Sequence, residues 1–242
     1  MKKLDKKVAI VTGGAAGMGE THVRLFIKNG AKVVITDIDE EKGEALAEEL
    51  GENALFVKHN VTDEEGWKTV VEKAEETFGH INILVNNAGI SPALSIESSL
   101  DDYMNVVNIN QVSIFLSLKY VVPSMQKEEN GSIVNISSIN GLEGGALGYT
   151  DTKFAVRGMT KAAAKELAPL GIRVNSVHPG VINTPMVQNS PQLEQIQAMA
   201  QTVPLKRMAE PNEISQLVLF LASDDSSYST GSEFIADGGV TA

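Results

Sequence analysis

The sequence predicts one α/β domain: a doubly wound parallel sheet of about seven strands, with helices on both faces. Three observations carry that expectation. Short β-branched runs alternate with longer segments of helical period. Most of the runs are nearly continuous in apolar residues, as strands covered on both faces are. No Pro/Gly/Ser-rich linker, internal repeat or low-complexity tract divides the 242 residues, a length that a single α/β domain commonly reaches.

In chain order, residues 7–12, 32–37, 54–58, 81–86, 132–137 and 173–178 read as strands. Helical period runs through 17–29, 40–50, 63–78, 100–126 and 149–170. Gly30 and Gly51 are placed to end the first two helices, and Asp63 to cap the third. Residues 183–210 break the rhythm with Pro185, Pro191 and Pro204, and Pro211 follows directly. They suit a helical hairpin or a flap over a pocket, within one domain spanning 1–242.

Hydrophobic residues make up 43% and charged residues 21%, enough to build a core, so disorder is a poor explanation. The absence of cysteine excludes disulfides, thiolate metal sites and a Cys nucleophile. The basic opening MKKLDKK imitates a signal peptide, but the apolar run from Val8 to Val11 is too short for one and glycines follow at once. No stretch approaches the roughly 18 apolar residues of a membrane span, so a cytoplasmic location is expected. A net charge of −11 with no basic stripe argues against nucleic acid as a partner. His22, His59, His80 and His178 lack metal-ligand spacing and read as structural or surface residues. Trp67 reads as packing.

After the first strand comes TGGAAGMG (12–19), opening a helix. Gly13 permits a tight turn, Gly17 lets a pyrophosphate approach the backbone, and Gly19 allows close helix–strand packing. The helix N-terminus then offers free N–H groups to phosphates. Asp37 ends the second strand, where a carboxylate can accept from both adenosine ribose hydroxyls and repel a 2′-phosphate. No Arg or Lys stands at 14–18 or beside Asp37, which favours NAD over NADP. The alternative for Asp37 is a cap on the helix beginning at Glu40.

TGGAAGMG, NNAG (86–89), VNI (107–109), NISS (135–138), YTDTK (149–153) and NSVHPG (175–180) stand in that order along the chain. Together they resemble the short-chain dehydrogenase/reductase family, nearest its hydroxysteroid and secondary-alcohol dehydrogenases. The resemblance implies a Rossmann fold, an NAD cofactor, a homotetramer or at least a homodimer built on 100–126 and 149–170, and an alcohol/ketone substrate pair. It maps a catalytic tetrad to Asn108, Ser138, Tyr149 and Lys153. Ser138 and Tyr149 would meet the substrate, and Asn108 would position a water linking Lys153 to solvent. Cofactor contacts fall on Gly13, Gly17, Met18, Gly19, Asp37, Asn60, Val61, Asn87, Ala88, Gly89, Tyr149, Lys153, Pro179, Gly180, Ile182 and Thr184.

The chemistry agrees. Tyr149 and Lys153 stand at i and i+4, so a helix points both into one site. A free phenol, with a pKa of about 10, is a weak base at neutral pH. An adjacent ammonium and a cationic nicotinamide are both expected to favour phenolate. The chain also departs from the family. The Ser138–Tyr149 loop is shorter than in many relatives, Asp151 stands where Ala or Ser is usual, and Met18 replaces a commoner Ile. Asn60 replaces an Asp credited with holding adenine, though its amide oxygen is expected to accept the same bond. Two further readings stay open: a 3-oxoacyl-carrier-protein reductase and a non-catalytic NAD-binding regulator.

Overall fold

A computed structural model describes residues 2–128 and 130–242. The elements run β1 (Val8–Thr12), α1 (Gly17–Lys28), β2 (Lys32–Asp37), α2 (Glu40–Leu50), β3 (Ala54–Lys58), α3 (Glu64–Phe78) and β4 (Ile83–Asn86). They continue with α4 (Leu100–Val107), a π turn (Asn108–Val112), α5 (Ser113–Met125), β5 (Gly131–Ile136), α6 (Tyr149–Leu167) and β6 (Ile172–Pro179). The chain closes through α7 (Pro185–Gln188), α8 (Leu193–Ala200), α9 (Pro211–Ala222) and β7 (Glu233–Ala236). Seven parallel strands pair in the order 3-2-1-4-5-6-7, the doubly wound α/β arrangement of a Rossmann fold.

Alternation along the strands divides the core in two, because successive side chains point to opposite faces. Ala9 and Val11 of β1 pack with Val23 and Phe26 of α1 and with Ile214 and Val218 of α9. Val8 and Ile10 face the other layer, with Trp67 and Val70 of α3, Val121 and Met125 of α5, and Ala163 and Leu167 of α6. This double burial is why the strands carry apolar residues at nearly every position.

Local chemistry sets most boundaries. Asp63 caps α3 by accepting from the Glu65 N–H at 3.1 Å, and Gly51 (φ +69°) ends α2. α6 stops at Leu167, and Pro169 then holds a 3₁₀ turn to Leu170. Of the strand expected over 81–86, β4 covers Ile83–Asn86; Asn82 still bonds the backbone of Val8 and Ser132, whereas the Ile81 N–H goes to Ser124 Oγ. The long helix expected over 100–126 is two helices separated by the π turn.

β7 and α9 have no counterpart among the strands and helices read from the chain. Four-residue β7 is a one-sided edge strand carrying Glu233, too short for a period to register. α9 opens on Pro211, which looks like a break. At the first helical position, however, the missing N–H has no intrahelical partner to lose, and Glu210 and Glu213 form a reciprocal capping box around it. Among the described residues no helix is long and apolar enough to cross a membrane.

Candidate active site

In a sheet of this order the chain leaves β1 toward β2 and β3 on one side, and toward β4 to β7 on the other. A crevice therefore opens at the carboxyl ends of β1 and β4. A cavity of about 360 Å³ occupies it, within the range of small-molecule and cofactor sites. Its floor is the glycine turn: Gly13, Ala16, Gly17 and Met18.

Gly13 and Gly17 both take left-handed backbone, φ +61° and +59°, which L-residues other than glycine rarely adopt. A Cβ at Gly19 would lie 1.9 Å from the Gly13 carbonyl oxygen, so Gly19 lets α1 close on the turn and does not itself line the cavity. Ala16 precedes α1 with no side-chain cap, leaving the first-turn N–H groups free for an anion. These features fit the pyrophosphate of a dinucleotide.

From that floor the cavity extends along β2 and β3 past Asp37, Ile38, His59, Asn60 and Val61. Asp37 accepts from the Ala15 N–H through Oδ2 and from the Asp39 N–H through Oδ1, both at 3.1 Å. These bonds hold the carboxylate at the cavity wall, and each oxygen keeps a lone pair for a ribose hydroxyl. The cap on α2 is Asp39, which accepts from the Lys42 N–H, so Asp37 is not needed for that task. No Lys or Arg stands among the described residues lining the cavity.

Asn60 corrects an expectation. Its Oδ1 accepts from the Thr62 N–H at 3.1 Å and the Thr62 hydroxyl at 2.9 Å. The backbone N–H can only donate, so the amide orientation is fixed and both carbonyl lone pairs are used. The atom left free is Nδ2, a donor where the family's carboxylate offers an acceptor. Trp67, fully buried, donates from its indole N–H to Val61 O at 3.0 Å and packs edge-on to His59, pinning this loop to α3.

On the other side the wall is Asn87, Ala88, Gly89, Ile90 and Ile109, closed by Thr184, Pro185 and Met186 at the start of α7. Asn87 Nδ2 donates to the carbonyls of Thr12 and Gly13, tying the end of β4 to the glycine turn. Pro179, Gly180 and Ile182 do not line this cavity. The Gly180 N–H bonds Ala236 O at 3.0 Å, so the backbone is held against β7, and Gly180 and Ile182 border a separate cavity of about 210 Å³.

Beyond Gly89 stand the side chains that the sequence resemblance marks as catalytic. The Ser138 hydroxyl lies close enough to the Tyr149 hydroxyl to favour loss of its proton. Ser138 Oγ also accepts from the Asn140 N–H at 3.1 Å. Lys153, buried, donates to Ile136 O at 2.9 Å, and its Nζ stands 5.4 Å from the Tyr149 ring centroid. Burial holds the Lys153 ammonium down to about 8. Burial also pushes the Tyr149 phenol up, opposed by the neighbouring Ser138 hydroxyl. The expected downward pull of Lys153 on Tyr149 is therefore not what governs this phenol; desolvation outweighs it.

Asn108 is not brought to the lysine; Asn110 is. A Cβ on Gly89 would lie 3.3 Å from Asn110 Oδ1 and 3.6 Å from Lys153 Nζ. Asn110 is buried, exchanges hydrogen bonds with Ile90 N–H and O at 2.9 Å, and reaches Thr152 Oγ1 at 3.3 Å. Asn108 makes no side-chain hydrogen bond among the described residues and is half-buried. Two residues apart on a helix, the pair cannot share a face, so the sequence already held the signal that only one of them could serve. The π turn supplies the choice, and such turns are frequent at functional sites.

Leu94 and Leu147 form an isolated antiparallel bridge, and a Cβ on Gly148 would meet Leu94 at 2.8 Å. Leu94 is thus held against the residues that lead into Tyr149. Asp151 turns its carboxylate to α4, accepting from the Tyr103 hydroxyl at 2.9 Å. His178 proves buried and bonded to the backbone of Ser138.

A glycine-floored crevice at the switch point of the sheet, beside a Ser–Tyr–Lys group, marks a nicotinamide-dependent oxidoreductase. Residues 13–241 match the family model described as Enoyl-(Acyl carrier protein) reductase. A 3-alpha-(or 20-beta)-hydroxysteroid dehydrogenase of Mycobacterium tuberculosis (strain ATCC 25618 / H37Rv) is 49% identical over 99% of this chain and 91% of its own. A cyclopentanol dehydrogenase of Comamonas testosteroni is 44% identical over 100% of both chains. A 3-oxoacyl-[acyl-carrier-protein] reductase of Thermotoga maritima is 43% identical over 98% of this chain and 99% of its own. The chain belongs to the short-chain dehydrogenase/reductase family. It is an oxidoreductase acting on CH–OH groups with a nicotinamide cofactor, interconverting an alcohol and a ketone.

Proposed function

We propose that this enzyme uses NAD(H) and takes an apolar, cyclic secondary alcohol or its ketone. The observation that carries the cofactor half is Asp37, a carboxylate on the cavity wall with no cation among the described lining residues. The names of the hydroxysteroid and cyclopentanol relatives support the substrate half, and the pairing of Leu94 with Leu147 just before Tyr149 agrees with an apolar substrate.

In this reading NAD(H) supplies hydride transfer, and the protein supplies position and protons. The glycine turn and α1 hold the pyrophosphate, Asp37 the adenosine ribose, and Asn60 and Val61 border the base. Thr184 and the 183–210 segment cover the cofactor. Ser138 Oγ orients the substrate oxygen. Tyr149 Oη gives a proton to that oxygen in ketone reduction and takes it back in alcohol oxidation. Lys153 keeps positive charge beside Tyr149, and Asn110, rather than Asn108, orders the polar path behind Lys153.

The test is NAD-dependent turnover of a panel: cyclopentanol, cyclohexanol, a 3α-hydroxysteroid, and acetoacetyl thioester with NADPH. Oxidation of a cyclic alcohol is expected, with Asn110→Ala lowering kcat at least about tenfold and Asn108→Ala leaving it within about twofold. Preference for the thioester with NADPH would instead support a 3-oxoacyl-carrier-protein reductase, the activity in the name of the Thermotoga relative. Asp37 and the net charge of −11 speak against that second reading, since an acidic carrier needs a basic patch. NADH binding with no turnover of any member would leave a non-catalytic regulator.

Residues Leu100, Tyr103 and Met104 of α4, Phe115 of α5 and Phe154 of α6 are exposed large hydrophobics. We infer that these helices form a subunit interface, in a homotetramer or at least a homodimer, because closed symmetric assembly is the usual use of such surfaces. Light scattering at micromolar concentration is expected to show a multiple of 25.9 kDa; a monomer alone would overturn this.

A further inference from the structure

We propose that His178 is a positioning residue: its ring N–H holds the Ser138 carbonyl and thereby aims the Ser138 hydroxyl at Tyr149. The inference rests on the role given to Ser138 above.

The β5–β6 ladder ends just before the site. Ile136 is the last residue of β5 to pair, with Val177, and the Ser137 N–H still reaches Val177 O at 2.8 Å. One residue on, the Ser138 carbonyl accepts from the Gly141 N–H at 2.9 Å within its own turn and meets no backbone donor of β6. His178 Nδ1 meets it instead at 3.1 Å, while Nε2 stands 2.9 Å from Ser176 Oγ. The ring is fully buried.

A carbonyl can only accept, so Nδ1 carries the proton, and Nε2 then accepts from the Ser176 hydroxyl. The partners select one tautomer. Burial pushes the His178 pKa down, which keeps the ring neutral and this pattern intact.

Ser138 leads straight into a 3₁₀ turn, Ile139–Gly141, which it caps with its own side chain. Oγ accepts from the Asn140 N–H while facing the Tyr149 hydroxyl. The far end of that turn is tied to α6, since Arg157 donates to Gly141 O at 2.8 Å. Ser137 Oγ donates to Lys153 O at 2.9 Å. His178 is thus the one side chain, among the described residues, that restrains the Ser138 peptide from the β6 side. Without its N–H the Ser138 carbonyl keeps only the Gly141 N–H at 2.9 Å, a bond inside the same 3₁₀ turn, so nothing ties that carbonyl to β6. The turn is then free to shift as a unit away from β6, and that shift carries Oγ away from Tyr149.

The test compares wild type with His178→Ala, His178→Asn, His178→Gln and Ser138→Ala. Asn places an N–H where Nδ1 stands, whereas Gln places its donor nearer the position of Nε2. For the panel alcohol that wild type oxidises fastest, kcat is expected to fall at least about tenfold in the Ala and Gln variants. The Asn variant is expected to recover to within about threefold. The NADH dissociation constant, read by cofactor fluorescence, and Tm should not follow the same pattern.

A second readout needs no substrate. Hydrogen exchange at the Asn140 amide should speed up in the Ala and Gln variants and stay near wild type in the Asn variant. Equal exchange and equal kcat in all three His178 variants would overturn the proposal. So would a loss of kcat that merely tracks NADH affinity or Tm. If Ser138→Ala keeps wild-type kcat, the Ser138 reading beneath it is what fails.

Discussion

Tyr149→Phe is expected to abolish turnover, lowering kcat by at least about a thousandfold, within the 10²–10⁴ range that positioned acid–base groups contribute. NADH affinity should stay within about twofold, since binding losses and rate losses separate when only a transition-state contact is removed. The substitution keeps the ring and its place 5.4 Å from Lys153 Nζ, and deletes only the hydroxyl that meets Ser138. Because burial lifts the phenol above its ordinary value, Tyr149 is protonated at neutral pH and stands ready as the proton donor of ketone reduction. Lys153, held down to about 8, is still mostly cationic at pH 7, the state that favours loss of the Tyr149 proton in the opposite direction. Steady-state kinetics with fluorescence titration of NADH decide the matter. A variant with activity within about tenfold of wild type would remove Tyr149 from the acid–base role.

Wild-type enzyme is expected to prefer NAD(H) over NADP(H) by at least about a hundredfold in kcat/KM, equivalent to about 2.7 kcal/mol. In NADP one ribose hydroxyl becomes a phosphate of roughly −2 charge, so repulsion replaces a charge-assisted hydrogen bond at Asp37. Losing such a bond costs about 1.5–3 kcal/mol, and repulsion adds to it. Asp37→Ala should narrow the gap mainly by weakening NAD. Adding Ile38→Arg should raise NADP use, because Ile38 lines the cavity and is 70% exposed. A guanidinium there reaches the mouth where the phosphate must lie. The measurement is kcat/KM for both cofactors with one ketone, in wild type and both variants. Equal use by wild type would mean that Asp37 serves the backbone N–H groups of Ala15 and Asp39 and nothing else.

Much of this was legible along the chain because its causes are local. Strands β1 to β6 announce themselves by apolar runs, α1 to α3 by period and end signals, and the glycine turn by where Gly13, Gly17 and Gly19 fall. Tyr149 and Lys153 share a helix face by spacing alone. Other features depend on groups far apart in sequence. β7 exists because β6 offers it an edge, and α9 begins at a proline that its capping box makes harmless. Asn110 rather than Asn108 faces Lys153 because a π turn shifts the register of one helix by a residue. Asn60 presents a donor because Thr62 has already taken its acceptor, and the Tyr149 phenol rises because the fold buries it. Spacing determines which side chains can meet. Which atom of each stays free, and with what affinity for a proton, is decided by hydrogen bonds and desolvation, and those are settled only when distant segments pack together.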